Sequence, residues 1–462
     1  MKTHTFSRIS LLNAPVADAF SWHERPGALE RLVPPWDPLQ VLSTDDSIEE
    51  GAERVLQMRL GPLRYRWHAR HRGYERGRQF QDVQIKGPLA YWCHSHLFRP
   101  KSDDASRCYL NDRIEYALPF SPIGDLLMRR RVQNNLKRIF AYRHTVLNRD
   151  LEQHLRYGET DRLRVLVTGA GGTIGSALVP FLTTGGHNVL RLVRHKSQVS
   201  RNAIFWDPAK GIADLKRLEN LDAVIHLAGE SLDGVCWSAK KREEIGRSRL
   251  VGTRRLVESF ARLSAKPKVL LSASAIGFYG DRGEEELGEG AARGDGFISS
   301  LCRQWEAEAA GAEALGIRTC LLRIGVVLTP LGGALSQALP SFRLGVGIGL
   351  GTGRQFLSWI GIDDVIGAIY FLMHRPFSSG PYNIVSPNPV RNLEFGRTLN
   401  ACLGGKRLMT LPSWAIRRLF GQKGREILLA STRVRPDRLL GEGYRFHRVS
   451  LKEHLKEQLG LA

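Results

Sequence analysis

The residues of this sequence that are best suited to chemistry form a short glycine-rich loop. Gly169, Gly172 and Gly175 follow an apolar strand pattern at Arg164–Thr168 and open a helical pattern at Ile174–Thr184. Glycines at this spacing between a strand and a helix are typical of a dinucleotide site. The first permits a tight turn, the second lets the backbone approach a pyrophosphate, and the third lets helix and strand pack closely, while free helix N–H groups attract the phosphates. The alternative is a glycine-rich turn with a purely structural role.

The end of the next predicted strand indicates which dinucleotide binds. Sites for NAD usually place Asp or Glu about 20 residues after the glycine loop, where the carboxylate binds the ribose 2′-hydroxyl. Here the strand at Asn188–Val193 is followed by Arg194 and Lys196, with no carboxylate beside them. Because Arg can pair bidentately with a 2′-phosphate, we predict NADP(H). The alternative is a solvated basic loop beside a site that binds NAD without an acidic anchor.

A second candidate for chemistry is the pair His94 and His96. On a predicted strand, alternate residues share a face, so two imidazoles could ligate zinc. No third ligand is evident from the sequence. We therefore interpret the pair as half-exposed strand histidines beside Trp92, which could line a cavity together with Trp67 and His68, and we predict no metal site.

The elements that must position these residues change in type near residue 160. Before it, the pattern is α+β: a helix, a curved antiparallel sheet, and a long closing helix whose apolar residues recur near a 3.6 period from Leu126 to Val146. After it, strands and helices alternate, which indicates an α/β fold with a doubly wound parallel sheet. We predict three segments: an N-terminal domain at 1–155, a Rossmann domain at 163–390 and a small C-terminal α+β substrate lobe at 391–462.

Several strings in the second part of the chain are specific enough to suggest a family. They are TGAGGTIG at 168–175, HLAGE at 226–230, SASAIGFYGD at 272–281, LLRIGVVL at 321–328, GTGRQFLSWIGIDD at 351–364 and GPYNIVSPNPVRN at 380–392. They resemble the epimerase-like subfamily of atypical extended short-chain dehydrogenases/reductases, within the NAD-dependent epimerase/dehydratase family, and the resemblance extends over roughly residues 163–455. Residues 1–155 resemble, more faintly, the START-like helix-grip superfamily, whose members enclose an apolar or amphipathic ligand.

The resemblance implies which residues contact the cofactor. They belong to the glycine loop, the start of its helix, the end of the second strand, the HLAGE string and a later strand. The expected set is Thr168, Gly169, Gly172, Thr173, Ile174, Gly175, Arg194, Lys196, Leu227, Ala228, Gly229 and Arg323.

The family's usual mechanism needs three side chains, and this sequence supplies one at its usual position. A Ser, a Tyr acid/base and a Lys four residues after the Tyr move a proton while the nicotinamide moves a hydride. Ser274 fits the Ser position, although a strand-end hydroxyl can instead cap the backbone. Phe297 and Leu301 stand where the Tyr and Lys belong, and a shift by one residue gives Ile298 and Cys302. The standard Tyr-Lys pair is therefore absent.

Other polar residues offer substitutes or substrate contacts. Tyr279 is the replacement proton donor that we predict; the alternative is a ring packed over the nicotinamide or in the core. Arg323 and Arg354 could bind an anionic substrate, and their alternatives are a buried ion pair and a solvated surface group. The pair Asp363-Asp364 resembles a hydrophobic-Asp-Asp motif that mainly positions loops in the family, so we assign it no catalytic or metal-binding role.

Composition excludes several classes of protein. The chain has 462 residues of which 42% are hydrophobic, enough for two or three domain cores. Six scattered cysteines without a CxxC pair are no disulfide framework and favour a reducing, cytoplasmic location. The net charge of +21 is spread along the chain without a nucleic-acid-binding motif, so we expect no nucleic-acid partner. No signal peptide or membrane span is evident.

These observations together predict an NADP(H)-dependent oxidoreductase or epimerase-like enzyme that acts on an unidentified small molecule. Ser274 would polarise a carbonyl oxygen, and Tyr279 or a water would supply the proton. The missing Tyr-Lys pair leaves a second hypothesis, a non-catalytic sensor or scaffold that binds the cofactor. A third is a lipid-binding protein whose nucleotide domain is regulatory. The sequence leaves the oligomeric state open.

Overall fold

Two different strand patterns build two units in this computed structural model. The first unit comprises Met1–Arg162, Pro180–His187 and Leu459–Ala462, and the second comprises Leu163–Val179 and Asn188–Gln458. The structure describes residues 2–37, 39–60, 63–120, 122–157, 162–232, 234 and 236–461. Among the described residues, no helix combines the length and the apolar character that crossing a membrane requires.

Antiparallel pairing organises the first unit. Its strands are β1 (His4–Leu12), β2 (Gln40–Thr44), β3 (Glu53–Leu60), β4 (Leu63–Glu75), β5 (Gln79–Lys86), β6 (Tyr91–Lys101) and β7 (Asp104–Ala117). They form one sheet in the order β1-β7-β6-β5-β4-β3-β2, with every neighbouring pair antiparallel. Its helices are α1 (Val16–Glu24) and α2 (Ala28–Arg31), between β1 and β2, and the long α3 (Ile123–Tyr157), which follows β7.

Apolar side chains form clusters in the interior of this unit. Along β7 every second residue from Cys108 to Tyr116 is buried, as the pleat of a strand with one covered face requires. Two apolar clusters include residues of α3, one around Phe20, Phe80 and Phe98 with Leu147 and Leu151, the other around Phe6, Ile114 and Phe140. Imidazole and carboxylate groups lie beside both clusters.

The beginning of α3 differs from the predicted pattern. Its apolar residues Ile123, Leu126 and Leu127 are 65%, 87% and 73% exposed, whereas Leu136 and Val146 are buried. The helical period from Leu126 onward therefore predicts the helix but not the point at which its apolar face enters the core.

Parallel pairing organises the second unit. Its strands are β8 (Arg164–Thr168), β9 (Asn188–Val193), β10 (Ala203–Asp207), β11 (Gly211–Ile212), β12 (Ala223–His226), β13 (Val269–Ala275), β14 (Glu286–Leu287), β15 (Arg318–Ile324), β16 (Val326–Leu328), β17 (Val346–Leu350), β18 (Phe356–Leu357), β19 (Trp359–Gly361), β20 (Gly380–Ile384), β21 (Val390–Arg391), β22 (Arg407–Leu411) and β23 (Arg433–Val434). The helices after β8 are α4 (Thr173–Thr184), α5 (Ala239–Ala261), α6 (Phe297–Ala310), α7 (Gly333–Arg343), α8 (Ile362–Met373), α9 (Asn392–Cys402), α10 (Ser413–Lys423), α11 (Asp437–Gly441) and α12 (Leu451–Gln458).

The main sheet of the second unit has the Rossmann order. It reads β11-β10-β9-β8-β12-β13-β15-β20, and all neighbours are parallel except β10 and β11. The chain moves outward from β8 through β9 to β10 and then returns to build the other half from β12. Ligands of such sheets bind at the carboxyl ends of the strands where this order reverses, here between β8 and β12.

The C-terminal part of the chain joins the same unit by pairing with earlier strands. Outside the main sheet, β22 pairs with β17, β23 with β14 and β21 with β18. In addition, the carboxylate of Asp364 at the start of α8 accepts hydrogen bonds from the backbone N–H groups of His447 and Arg448. This contact fixes the loop before α12, which is the positioning role that the Asp-Asp motif predicts.

Candidate functional site

The glycine loop makes a sharp bend between β8 and α4. Gly169 has φ +70, and a Cβ on it would lie 2.7 Å from the carbonyl carbon of Leu227 after β12. A Cβ on Gly175 would lie 2.2 Å from the carbonyl oxygen of Gly169, and the N–H of Gly172 donates to that same oxygen at 3.0 Å. The loop is therefore folded so tightly that side chains at its first and last glycines would clash with backbone.

A cleft of about 730 Å³ opens at this bend, at the carboxyl ends of the strands around the reversal point. Its walls come from the glycine loop, from the end of β9 and the loop after it, from the end of β10, and from the segment after β12. The lining residues are Gly169, Ala170, Gly171, Gly172, Arg191, Leu192, Val193, Arg194, His195, Gln198, Trp206, Pro208, Leu227, Ala228, Gly229, Glu230 and Ser248.

The structure brings six of the expected cofactor contacts together in this wall: Gly169, Gly172, Arg194, Leu227, Ala228 and Gly229. Arg194 is exposed at the end of β9, where a cation can meet a phosphate. The other expected contacts are not part of this wall: Thr173, Ile174 and Gly175 begin α4, and Arg323 lies on β15. Thr168 is buried, and its hydroxyl accepts a hydrogen bond from the N–H of Ala228 at 3.1 Å, so it supports the cleft from below. Lys196 lies with its Nζ 5.8 Å from the ring centroid of Phe205.

Three charged groups near the cleft were missed by the sequence analysis. Glu230 lines the cleft and forms an ion pair with Lys241 at 2.5 Å. This hydrogen bond from Lys241 lowers the pKa of Glu230, with Arg194 and Arg249 adding to the effect. The guanidinium of Arg249 donates to the backbone oxygen of Glu230 and packs against Gly229. For Glu230 the sequence signal was its place in the HLAGE string. Lys241 and Arg249 had none, because they lie on α5 and no motif spacing connects that helix with the HLAGE segment.

The predicted catalytic hydroxyls lie in a buried hydrogen-bonded network. The strands β13, β15 and β20 place Ser274, Arg323 and Asn383 side by side in register. Ser274 Oγ donates to Glu306 at 2.6 Å, and Arg323 forms an ion pair with the same carboxylate at 2.9 Å. Tyr279 accepts from Arg323 at 3.0 Å and donates to Asn383 Oδ1 at 2.7 Å. Neither hydroxyl belongs to the wall of the cleft.

This network determines what its members can do. Arg323 is in the buried ion pair that the sequence analysis gave as its alternative role, and it does not reach the cleft. Burial raises the pKa of Tyr279, so its phenol stays protonated, whereas the usual mechanism needs a lowered value. Glu306, on α6, was not predicted because it lies beyond the positions that the spacing assigns to the usual Tyr and Lys. Burial also raises the pKa of Cys302 to about 12, which leaves an inert thiol where a shifted alignment would place the Lys.

Two further predicted residues have clear places. Arg354 is exposed, which matches the solvated alternative rather than a substrate contact in a cleft. The interpretation of His94 and His96 as half-exposed was wrong: they are only 3% and 7% exposed, because their side of β6 faces the interior of the first unit. Trp67 does contact Trp92, with ring centroids 4.9 Å apart.

Two family models match the part of the chain that follows residue 160. The model of the NAD dependent epimerase/dehydratase family matches residues 165–385, and a domain of unknown function, DUF1731, matches residues 411–458. An epimerase family protein of Mycobacterium bovis is 36% identical over 291 residues, which cover 63% of this chain and 96% of that protein.

Two crystal structures are similar over different lengths. The nucleoside-diphosphate sugar epimerase from Corynebacterium glutamicum has a TM-score of 0.80 and 31% identity, and the match covers 99% of this chain and 90% of that one. Human epimerase family protein SDR39U1 (isoform 2), crystallised with NADPH, has a TM-score of 0.58 and 32% identity, and covers 64% of this chain and 99% of its own. The similarity to the Corynebacterium protein therefore includes the first unit as well.

Proposed function

Because this chain belongs to the NAD-dependent epimerase/dehydratase family, we propose that it binds NADP(H) in the cleft at the glycine loop and acts as an oxidoreductase or epimerase on a small molecule. The observation that carries the proposal is the cleft itself, which joins a tight phosphate-binding bend to an exposed Arg194. The human relative crystallised with NADPH supports this choice of cofactor. When bound, the nicotinamide supplies hydride transfer.

The cofactor preference rests on the charge at the end of β9. Arg194 lines the cleft and follows a strand whose end offers no carboxylate for a ribose 2′-hydroxyl. The acidic side chain across the cleft, Glu230, is already paired with Lys241. A 2′-phosphate therefore meets a cation rather than an anion at this end of the cleft.

Calorimetric titration of the purified protein with NADPH and NADH tests this preference. We expect NADPH to bind at least ten-fold more tightly, and Arg194→Ala to weaken NADPH binding by about 10- to 100-fold, since a charge-assisted hydrogen bond contributes about 1.5–3 kcal/mol. Binding of NADH should change little. Arg201→Ala, an exposed arginine on the same loop that is outside the cleft wall, is the matched control. Equal affinities for both cofactors in the wild type would contradict the proposal.

A second candidate function, a non-catalytic NADP(H)-binding sensor or scaffold, is favoured by the buried network. Both predicted catalytic hydroxyls are engaged with protein partners, and apolar Phe297 and Leu301 occupy the positions of the usual Tyr and Lys. The two candidates differ in hydride transfer. NADP⁺ is incubated with the protein and a set of nucleoside-diphosphate sugars. If the protein is an oxidoreductase for one of them, that sugar loses hydride to NADP⁺ and the absorption of a reduced nicotinamide appears, and if it is an epimerase, the epimerised sugar appears. Tight binding of the cofactor with neither change favours the sensor.

We further propose that the first unit is a START-like helix-grip fold. Support comes from the seven-stranded antiparallel sheet, from the two short helices between β1 and β2, and from the 35-residue α3 that follows the last strand.

A further inference from the structure

The interior of the first unit contains a compact group of metal-ligating side chains from neighbouring strands. Asp82 on β5 and the pair His94 and His96 on β6 bring one carboxylate oxygen and two ring nitrogens within 4.8 Å of one another. Asp82 Oδ2 lies 3.2 Å from His96 Nε2 and 3.7 Å from His94 Nδ1. The third ligand that the sequence analysis did not find is thus supplied by the strand pairing, in which Asp82 lies opposite His94.

We propose that Asp82, His94 and His96 bind one divalent transition-metal ion, with Zn²⁺ as the reference ion. Zinc lies about 2.0–2.2 Å from nitrogen and oxygen ligands, so the ligand atoms of a tetrahedral site are roughly 3.4 Å apart. The two distances from Asp82 are close to that value, and the two imidazole nitrogens lie within 4.8 Å of each other, so small side-chain shifts bring all three ligand atoms to an ion. Two imidazoles and one carboxylate form a set that favours zinc and its neighbours in the first transition row over magnesium or calcium.

A second carboxylate lies behind both imidazoles, within hydrogen-bonding geometry of His94 and within ion-pair distance of His96. The ring nitrogens that face away from Asp82 both face Asp112 Oδ1, His94 Nε2 at 3.0 Å and His96 Nδ1 at 2.7 Å. Asp112 in turn contacts His144 Nε2 on α3 at 2.5 Å. Metal-binding histidines almost always donate their second ring N–H to such a carboxylate, which fixes the tautomer and the ring orientation.

The charges of this site also favour a bound cation. Asp112 is 3% exposed, and a carboxylate buried so deeply needs compensation by positive charge. Protonating both His94 and His96 would place two cations on rings whose centroids are 3.9 Å apart. A divalent ion, together with the buried guanidinium of Arg143 that interacts electrostatically with Asp82 and Asp112, would balance both carboxylates and leave both rings neutral.

The site also has a path to solvent and a supported carboxylate. A quarter of the Asp82 side chain is accessible, so an ion can reach the site from that side. The other oxygen of Asp82 lies 3.1 Å from His71 Nδ1 on β4, so this ring faces the carboxylate from the side away from the proposed ion. The proposed ion would therefore link the two strands that carry its ligands, next to a third strand that positions one of them.

Cobalt titration of untagged protein, after treatment with a chelator, tests the proposal. Wild-type protein should bind one Co²⁺ per chain with the visible absorption of a four- or five-coordinate ion, and Zn²⁺ should displace it. The double variant H94Q/H96Q should lose this binding by at least about 100-fold in affinity, by analogy with ligand loss in metal sites. The control H68Q removes a partly exposed histidine that pairs with Glu53 on neighbouring strands and should bind cobalt like wild type.

A second variant distinguishes the loss of a metal ligand from the loss of folding. If H94Q/H96Q does not fold, cobalt binding is measured on D82N instead. Asp82 is the least buried ligand, and asparagine has a similar volume. Circular dichroism and thermal unfolding, each compared with wild type, show whether a variant is folded. The proposal is overturned if wild-type protein binds no stoichiometric Co²⁺ or Zn²⁺, or if the double variant and D82N, both folded, bind it as wild type does.

Discussion

Ser274 has a single hydroxyl proton, and in this structure the proton is directed at the buried carboxylate of Glu306. The same carboxylate neutralises Arg323, which in turn donates to Tyr279. Catalysis by either hydroxyl would require its partner to be exchanged for substrate. The side chains that resemble a dehydrogenase site by sequence therefore function, in this conformation, as the polar centre of the domain core.

The ion pair at this centre leads to a stability prediction. Glu306→Ala leaves the Arg323 guanidinium, whose side chain is 6% exposed, without its carboxylate, and breaking a buried pair in this way costs about 3–5 kcal/mol. Denaturant unfolding measures the loss. Glu308→Ala on the same helix removes a partner of Arg254, which is 55% exposed, and should cost no more than about 1 kcal/mol. Equal losses of unfolding free energy in both variants would show that the buried ion pair stabilises the protein no more than the exposed one.

A second residue pair tests the glycine loop. In Gly169→Ala, alanine would have to adopt a positive φ, and its Cβ would lie 2.7 Å from backbone atoms. We therefore expect this variant to lose about 1–3 kcal/mol of unfolding free energy and to lose NADPH binding. A Cβ on Gly171, two residues later, meets nothing within 4 Å. Gly171→Ala should therefore unfold at the wild-type denaturant concentration. A Gly169→Ala protein of normal stability would mean that the bend is not as tight as described.

At the scale of elements, His226 connects two strands and a helix at the base of the cleft. Its ring nitrogens lie 2.7 Å from the hydroxyl of Thr168 on β8 and 2.9 Å from that of Thr253 on α5. Burial lowers the pKa of His226 from 6.5 to about 4, so the folded protein holds the neutral ring. The unfolded chain binds a proton more readily between these two values, and stability is therefore lost as the pH falls through this window.

This linkage is measurable as a difference between variants. Between pH 7 and pH 5 the wild-type protein should lose about 2 kcal/mol of unfolding free energy through His226 alone. His226→Gln keeps a polar side chain without a titrating group, so its loss over the same interval should be smaller by that amount. His195→Gln, an exposed position, should follow the wild type. Parallel pH profiles for wild type and His226→Gln would contradict a buried neutral imidazole.

The elements themselves show what could be predicted from the sequence. Strands β8 and β9 have the predicted bounds, because each is a short apolar run bounded by glycines or charges. Arg194 and the segment at 227–229 were predicted parts of the cleft wall, whereas Trp206 and Glu230 were not: they lie far apart in sequence and line one cleft only because of the strand order. In the first unit, His94, His96 and Asp112 point into the interior. These polar residues interrupt the alternation of apolar and polar residues from which a strand and its buried face are predicted. Burial of these polar groups follows from partners on other strands, which no local pattern contains.

At the scale of the whole molecule, the net charge of +21 provides an attractive field for anionic ligands. NADPH carries one phosphate more than NADH, so its affinity should fall more steeply as salt shortens the range of this field. Calorimetric titrations at low and high salt measure both slopes. Identical slopes would mean that the extra phosphate does not meet the positive end of the cleft and that Arg194 does not determine the cofactor preference.

One wall residue of the cleft has a practical consequence. Trp206 lies at the end of β10, 2% exposed, with its indole beside the space where a dinucleotide would lie. Indole emission overlaps the absorption band of a reduced nicotinamide, so light absorbed by this side chain can pass to a reduced cofactor held nearby. The protein thus contains its own optical reporter of cleft occupancy, and no dye has to be attached to follow loading and release in real time.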